Sequence, residues 1–299
     1  MKQNMTTTDN DFSAESNMRH LDSNHQFGRF IRKTVGFCLL IFVVSLTSAC
    51  SKTAKSGIII AGSTSVQPFA EALAEEYMKL NKGLEIDVQG GGSAAGIMSA
   101  QTNTADIGMS SRNLTGDEKK LWYVEIARDG LAVIVNPKNP VANLTLAQCR
   151  DIYSGAIHNW SQLGGTDHEI HVIAREEGSG TRSAFESLVM NKLEINSRAI
   201  IQDSNGTVRQ LVGDDFAAIG FISLGLVNDK VKALELNGVQ ATRENVINGT
   251  YNLSRPFLFI TNTEPTGKVK AFIDYVLSAE GKKLLNAEGL VTFADGGTK

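Results

Sequence analysis

Arg175-Glu176-Glu177-Gly178-Ser179-Gly180-Thr181-Arg182 holds residue types suited to gripping an anion. Before it, Ile170–Ala174 reads as a short buried strand, and after it Ser183–Val189 has helical spacing. A Gly-Ser-Gly-Thr turn between strand and helix presents backbone N–H groups and two hydroxyls at the positive end of a helix. Arg175 adds a planar, permanently charged fork at the strand's end. The chemistry this predicts is capture of an oxyanion. One such turn would be plain punctuation, but this chain repeats it. Gly62-Ser63-Thr64-Ser65 follows the β-branched run Ile58–Ala61 and opens the helix-spaced Val66–Leu80. Gly90-Gly91-Gly92-Ser93 follows the alternating Leu84–Gln89, and Ser110-Ser111-Arg112 closes Ala105–Met109. In open α/β sheets, ligands gather outside the carboxyl ends of the strands, so four loops of one chemistry define a candidate site.

Catalysis would need a base and a nucleophile as well. His158, His168 and His171 have no metal-binding spacing, and His171 alternates with Val172 as a structural strand residue would. Ser179 lacks the Gly-x-Ser-x-Gly elbow, so a serine hydrolase is a remote reading. No phosphate-binding Gly-x-x-x-x-Gly-Lys motif is present, and Ala95 stands where a dinucleotide fingerprint wants its last glycine. Glu176 and Glu177 point apart in an extended segment and read as a solvated loop, not a carboxylate pair. The expectation is binding without turnover, cofactor or metal. Charge-assisted hydrogen bonds contribute about 1.5–3 kcal/mol each, so a few suffice for a micromolar site.

The elements that must position these loops alternate strand and helix, which argues for an α/β fold. Gly130–Asn136 and Arg255–Thr261 are the two longest apolar strands and read as crossovers between two lobes. The expected lobes are 58–136 plus 253–299, and 137–252. Helices are expected at Thr145–Tyr153, Thr207–Val212, Gly267–Leu277 and Gly281–Leu285. The 299 residues carry a net charge of −3, without the basic stripe of a nucleic-acid binder.

Residues 1–28 form a polar prefix expected to be disordered. Arg29, Arg32 and Lys33 then precede the apolar Val35–Leu46 and the small residues Thr47-Ser48-Ala49-Cys50, the layout of a secretory signal over 29–50. Ser-Ala-Cys resembles a bacterial lipobox, making Cys50 the expected lipid-modified residue and 51–57 a tether. Thr47 departs from that pattern, and a plain signal or an uncleaved anchor are the alternatives. Cys149 is then alone in the mature domain and is expected to be a buried apolar residue.

The motifs from Gly62 to Pro68, Gly90–Ser93, Ala105–Arg112 and Arg175–Arg182, with Asn159-Trp160 and Leu163–Gly165, resemble the substrate-binding lipoproteins of bacterial phosphate ABC importers. The resemblance spans about residues 57–295. It implies the two-lobed type II periplasmic-binding-protein fold, with a mixed sheet and flanking helices in each lobe. By position it implies Thr64, Ser65, Ser93, Ser111, Arg112, Arg175, Ser179, Gly180 and Thr181 as phosphate ligands. It further implies a monomer held to the outer face of the cell membrane, with permease and ATPase subunits as partners. Some members carry an aspartate where Ser111 stands, which leaves the residue that rejects sulfate unassigned here. Sulfate, molybdate, or a sensor or adhesin role on the same fold are the competing readings.

Overall fold

The computed structural model describes residues 57–293 and 297–298. The expected prefix 1–28, the signal 29–50 with Cys50, and the tether as far as residue 56 lie outside the described residues. Among the described residues, no helix is long and apolar enough to cross a membrane.

The chain begins β1 (Ile58–Gly62), α1 (Gln67–Leu80), β2 (Ile86–Gly90), α2 (Ser93–Gln101) and β3 (Ile107–Ser110). A 14-residue strand, β4 (Trp122–Val135), leads out of this part. There follow β5 (Asn143–Leu144), α3 (Leu146–Ser154), β6 (His171–Arg175), α4 (Gly180–Phe185), β7 (Ile200–Gln202), α5 (Asn205–Asp214) and β8 (Ala218–Ser223). Short strands β9 (Lys232–Ala233) and β10 (Glu235–Leu236) and helix α6 (Arg243–Ile247) precede β11 (Ser254–Thr261). Helices α7 (Gly267–Leu277) and α8 (Ala279–Ala287) and the two-residue β12 (Gly297–Thr298) finish it.

The strands join in the order β2-β1-β3-β11-β4-β8-β6-β7. β1 is parallel to β2 and β3, β6 is parallel to β7 and β8, and β11 and β4 run antiparallel to their neighbours. β4 belongs to both halves. Its residues 122–130 pair with β11, and Leu131–Val135 pair with β8. The sequence pattern finds only the second part of β4, because Glu125, Arg128 and Asp129 interrupt the apolar run before Gly130. That polar stretch is still strand, carried by β11 on one side.

Each half has its own core, as burial of apolar area demands. Phe69, Phe257, Phe259 and Phe272 anchor the first, with α1, α7 and α8 packed on the sheet. Tyr153, Trp160, Phe185 and Phe221 anchor the second, where the Phe185 and Phe221 rings stack 4.1 Å apart. Trp160 satisfies its indole by donating to the Ala217 carbonyl at 2.8 Å. Cys149 is fully buried, as expected, and burial pushes its thiol up to about 12. The helix expected over Ser183–Val189 starts earlier, at Gly180, and continues from Glu186 to Met190 as a π-turn.

Candidate functional site

The carboxyl ends of β1, β2, β3, β6, β7 and β8 converge on one buried polar cluster. β1 ends at Gly62, and Ser63, Thr64 and Ser65 turn the chain into α1. Ser63 Oγ donates to Ser111 Oγ at 2.9 Å and accepts from the Ser65 N–H at 3.2 Å. Ser93, the first residue of α2, accepts from the Ser111 N–H at 3.0 Å and lies 3.3 Å from Ser111 Oγ. Gly92 caps that helix at a φ of 88°, a conformation few side chains tolerate. Ser65 Oγ lies 2.8 Å from Thr181 Oγ1, which belongs to α4 in the other half. Ser63, Ser65, Ser93, Ser111, Ser179 and Thr181 are all buried.

Three further contacts hold the halves together. The Ala94 N–H donates to the Gly178 carbonyl at 3.0 Å. Asn205, at the start of α5, donates to Ser65 Oγ at 2.9 Å and to Thr64 Oγ1 at 3.2 Å. Gly180 leaves no room for a side chain: a Cβ there would stand 2.2 Å from Ser93 Oγ and 2.6 Å from Ser111 Oγ. Its lack of a Cβ is what lets the α4 turn reach the serines of the first half. Ser179 Oγ caps α4 by accepting from the Arg182 N–H at 3.2 Å.

Arg175 ends β6 and is 1% exposed. Its Nε donates to Glu176 Oε2 at 2.9 Å and to the Gln202 carbonyl at 3.2 Å. Its Nη2 donates to Glu176 Oε1 at 2.9 Å and to the Asp203 carbonyl at 3.0 Å. Nη1 has no hydrogen-bond partner. A buried guanidinium with two unused N–H donors is costly, and such orphans mark places where a polar partner belongs. Glu176 is therefore not the solvated loop residue expected from the sequence: it clamps the fork of Arg175.

A second arginine stands close by. Arg255 in β11 lies directly opposite Asp129 in β4. Its Nε and Nη2 reach Asp129 Oδ2 at 3.1 and 3.0 Å. Burial pushes the Asp129 carboxyl above the usual carboxylate range, with Arg255 and Ser223 pulling it back. Burial likewise lowers Arg255, which Asp129 opposes. A guanidinium remains charged all the same.

Of the residues singled out from the sequence, Ser65, Ser93, Ser111 and Thr181 are bonded to one another or to a shared neighbour. Thr64, Ser179 and Gly180 border them, while Arg175 is buried at the end of β6 with Nη1 unpaired. Arg112 does not join. Its guanidinium turns to Glu118, with Nη1–Oε2 and Nη2–Oε1 both 2.8 Å. Ser63 lay in a candidate loop without being named as a ligand, and Asn205, Arg255 and Asp129 were not expected in the site at all. Arg255 and Asp129 carried one available signal, an opposite charge on each of the two crossover strands.

A family model for the PBP superfamily domain matches residues 47–280 of this sequence. The chain belongs to the PBP superfamily. Among superfamily relatives, the phosphate-binding protein PstS of Bacillus subtilis is 33% identical over 248 residues, covering 81% of this chain and 82% of its own. A phosphate ABC transporter substrate-binding protein from Clostridium perfringens, solved with bound phosphate, is 44% identical with a TM-score of 0.77. The match covers 79% of this chain and 99% of that one. An ABC-type phosphate transport receptor from Vibrio cholerae is 40% identical with a TM-score of 0.66, covering 79% of this chain and all of its own. The α/β architecture with a curled mixed sheet agrees with the superfamily fold expected from the sequence.

Proposed function

We propose that this chain is an extracytoplasmic phosphate receptor that hands its ligand to an ABC importer. The observation that carries the reading is Arg175 Nη1, a buried cationic donor without a partner, in a site built from hydroxyls and helix starts. Charge-assisted donors plus neutral hydroxyls suit a small desolvated oxyanion. Similarity to relatives named for phosphate binding, one of them solved with phosphate in place, supports phosphate as that oxyanion.

The assigned ligand residues are Thr64, Ser65, Ser93, Ser111, Arg175, Ser179, Gly180 and Thr181. Residues 58–136 with 253–293 make up one lobe and 137–252 the other, with β4 and β11 as the hinge between them and the Leu131–Val135 end of β4 reaching into the second lobe to pair with β8. Cys50 anchors the chain through lipid, and it works as a monomer beside permease and ATPase subunits. Binding without turnover is part of this reading, supported by Ser179 Oγ capping α4 and by His171 pairing with Asp215 at 2.6 Å on the surface. Equilibrium binding of radiolabelled phosphate to the full chain, with sulfate as competitor, tests the reading. Saturable uptake that excess sulfate leaves intact is expected. Displacement by sulfate in preference to phosphate would overturn the phosphate assignment.

A further inference from the structure

Arg255 and Asp129 form an ion pair with 2% and 1% of their surfaces exposed. Burying two charges costs as much as their attraction returns, so stability alone gives little reason for such a pair. Its surroundings give another. Arg255 Nη2 donates to Ser65 Oγ at 3.0 Å, and Nη1 lies 3.4 Å from Ser111 Oγ. Both hydroxyls belong to the cluster described above. Asp129 spends its two oxygens on aim: Oδ2 takes the Arg255 fork and Oδ1 accepts from Ser223 Oγ at 2.8 Å. The pair also spans the two strands that run between the halves, in register across the β4–β11 ladder.

We propose that Arg255 is a second ligand-contacting cation of the oxyanion site and that Asp129 is its positioning residue. The assignment rests on the oxyanion reading. It places one arginine in the second half, at the end of β6, and one on the strands shared by both. An anion seated between them touches the hinge itself, which ties occupancy to the relation of the two halves. Each arginine brings its own carboxylate, Glu176 for Arg175 and Asp129 for Arg255, so the four ionised groups sum to zero. The ligand is then held by directed hydrogen bonds rather than by an excess of positive charge, which favours a tetrahedral oxyanion over any anion of equal charge.

The test uses the full chain and phosphate calorimetry, with thermal unfolding of each ligand-free protein as the control for folding. Arg255→Met with Asp129→Leu removes both charges together, leaving no buried orphan. The expected result is a cooperatively folding double variant whose phosphate affinity is about 30-fold or more below wild type. Arg255→Lys keeps the charge and the Asp129 partner but loses the fork, and is expected to weaken binding about tenfold. Wild-type phosphate affinity in the double variant would overturn the assignment and leave the pair a structural one. If the double variant does not fold, Arg255→Lys decides, and unchanged affinity there overturns the assignment. A wild-type chain that takes up neither phosphate nor sulfate overturns the oxyanion reading and this assignment with it.

Discussion

Arg112 and Arg255 each face a carboxylate at hydrogen-bond distance, and the two pairs do different things. Arg112 meets Glu118 six residues on, with side chains 17% and 25% exposed. Glu118 also accepts from the Thr115 N–H and hydroxyl, so the pair clips a single 3₁₀ turn at Gly116–Lys120. Arg255 meets Asp129 from 126 residues away, across two strands and out of reach of water. One pair fastens a turn; the other sits where both halves and six strand ends meet. Neighbourhood in sequence put Arg112 beside the serines, and the register of β11 on β4 put Arg255 there instead.

The pairs also respond to pH with opposite sign. The Arg112 guanidinium, helped by Thr115, holds the Glu118 carboxyl down to about 2 from its ordinary 4.5, against the pull of partial burial. A depressed folded value means that its stabilisation is present above about 4.5 and is lost as pH falls toward 2. Burial raises Asp129, so its contribution is fully present only below the usual 3.8 and declines as pH rises through the folded value.

The largest effect is expected at Arg175, the other buried arginine. Arg175→Ala should weaken phosphate binding by about 30-fold or more, because truncating a buried charge-paired donor costs several kcal/mol. Calorimetry reads it, and unchanged affinity would place Arg175 outside the site. The smallest effect is expected at Arg112. Arg112→Ala should leave phosphate affinity within about twofold and lower stability by about 1–3 kcal/mol, partial solvation setting the lower end and the depressed Glu118 carboxyl the upper. Urea unfolding of Glu118→Gln should show a shallower loss of stability between pH 4.5 and 2 than wild type. Weakened phosphate binding on loss of Arg112 would break the contrast between the two arginines.

Much of this was legible in the sequence. Ser63–Ser65, Gly90–Ser93, Ser110-Ser111 and Arg175–Thr181 announced themselves because turn chemistry is local: glycines, hydroxyls and a strand before each. The α/β alternation and both crossover strands followed from apolar runs. Asp129 was hidden because it stands just before the apolar run that begins at Gly130, when pairing with β11 makes that polar stretch strand as well. Arg255 was hidden because its neighbours Pro256 to Ile260 are apolar and its own charge read as an edge. Glu176 looked solvated since adjacent residues point apart, yet one of them reaches back to the fork of Arg175. Partners fixed by strand register are invisible to periodicity, and Arg255 with Asp129 is such a pair.

A crystal structure of the full chain grown with phosphate tests the central claim most directly. One phosphate is expected within hydrogen-bond distance of Arg175 Nη1, Arg255 and the hydroxyls of Ser65, Ser93 and Ser111. Phosphate bound beside Arg112 and Glu118 instead, with the buried cluster closed on itself, would contradict it.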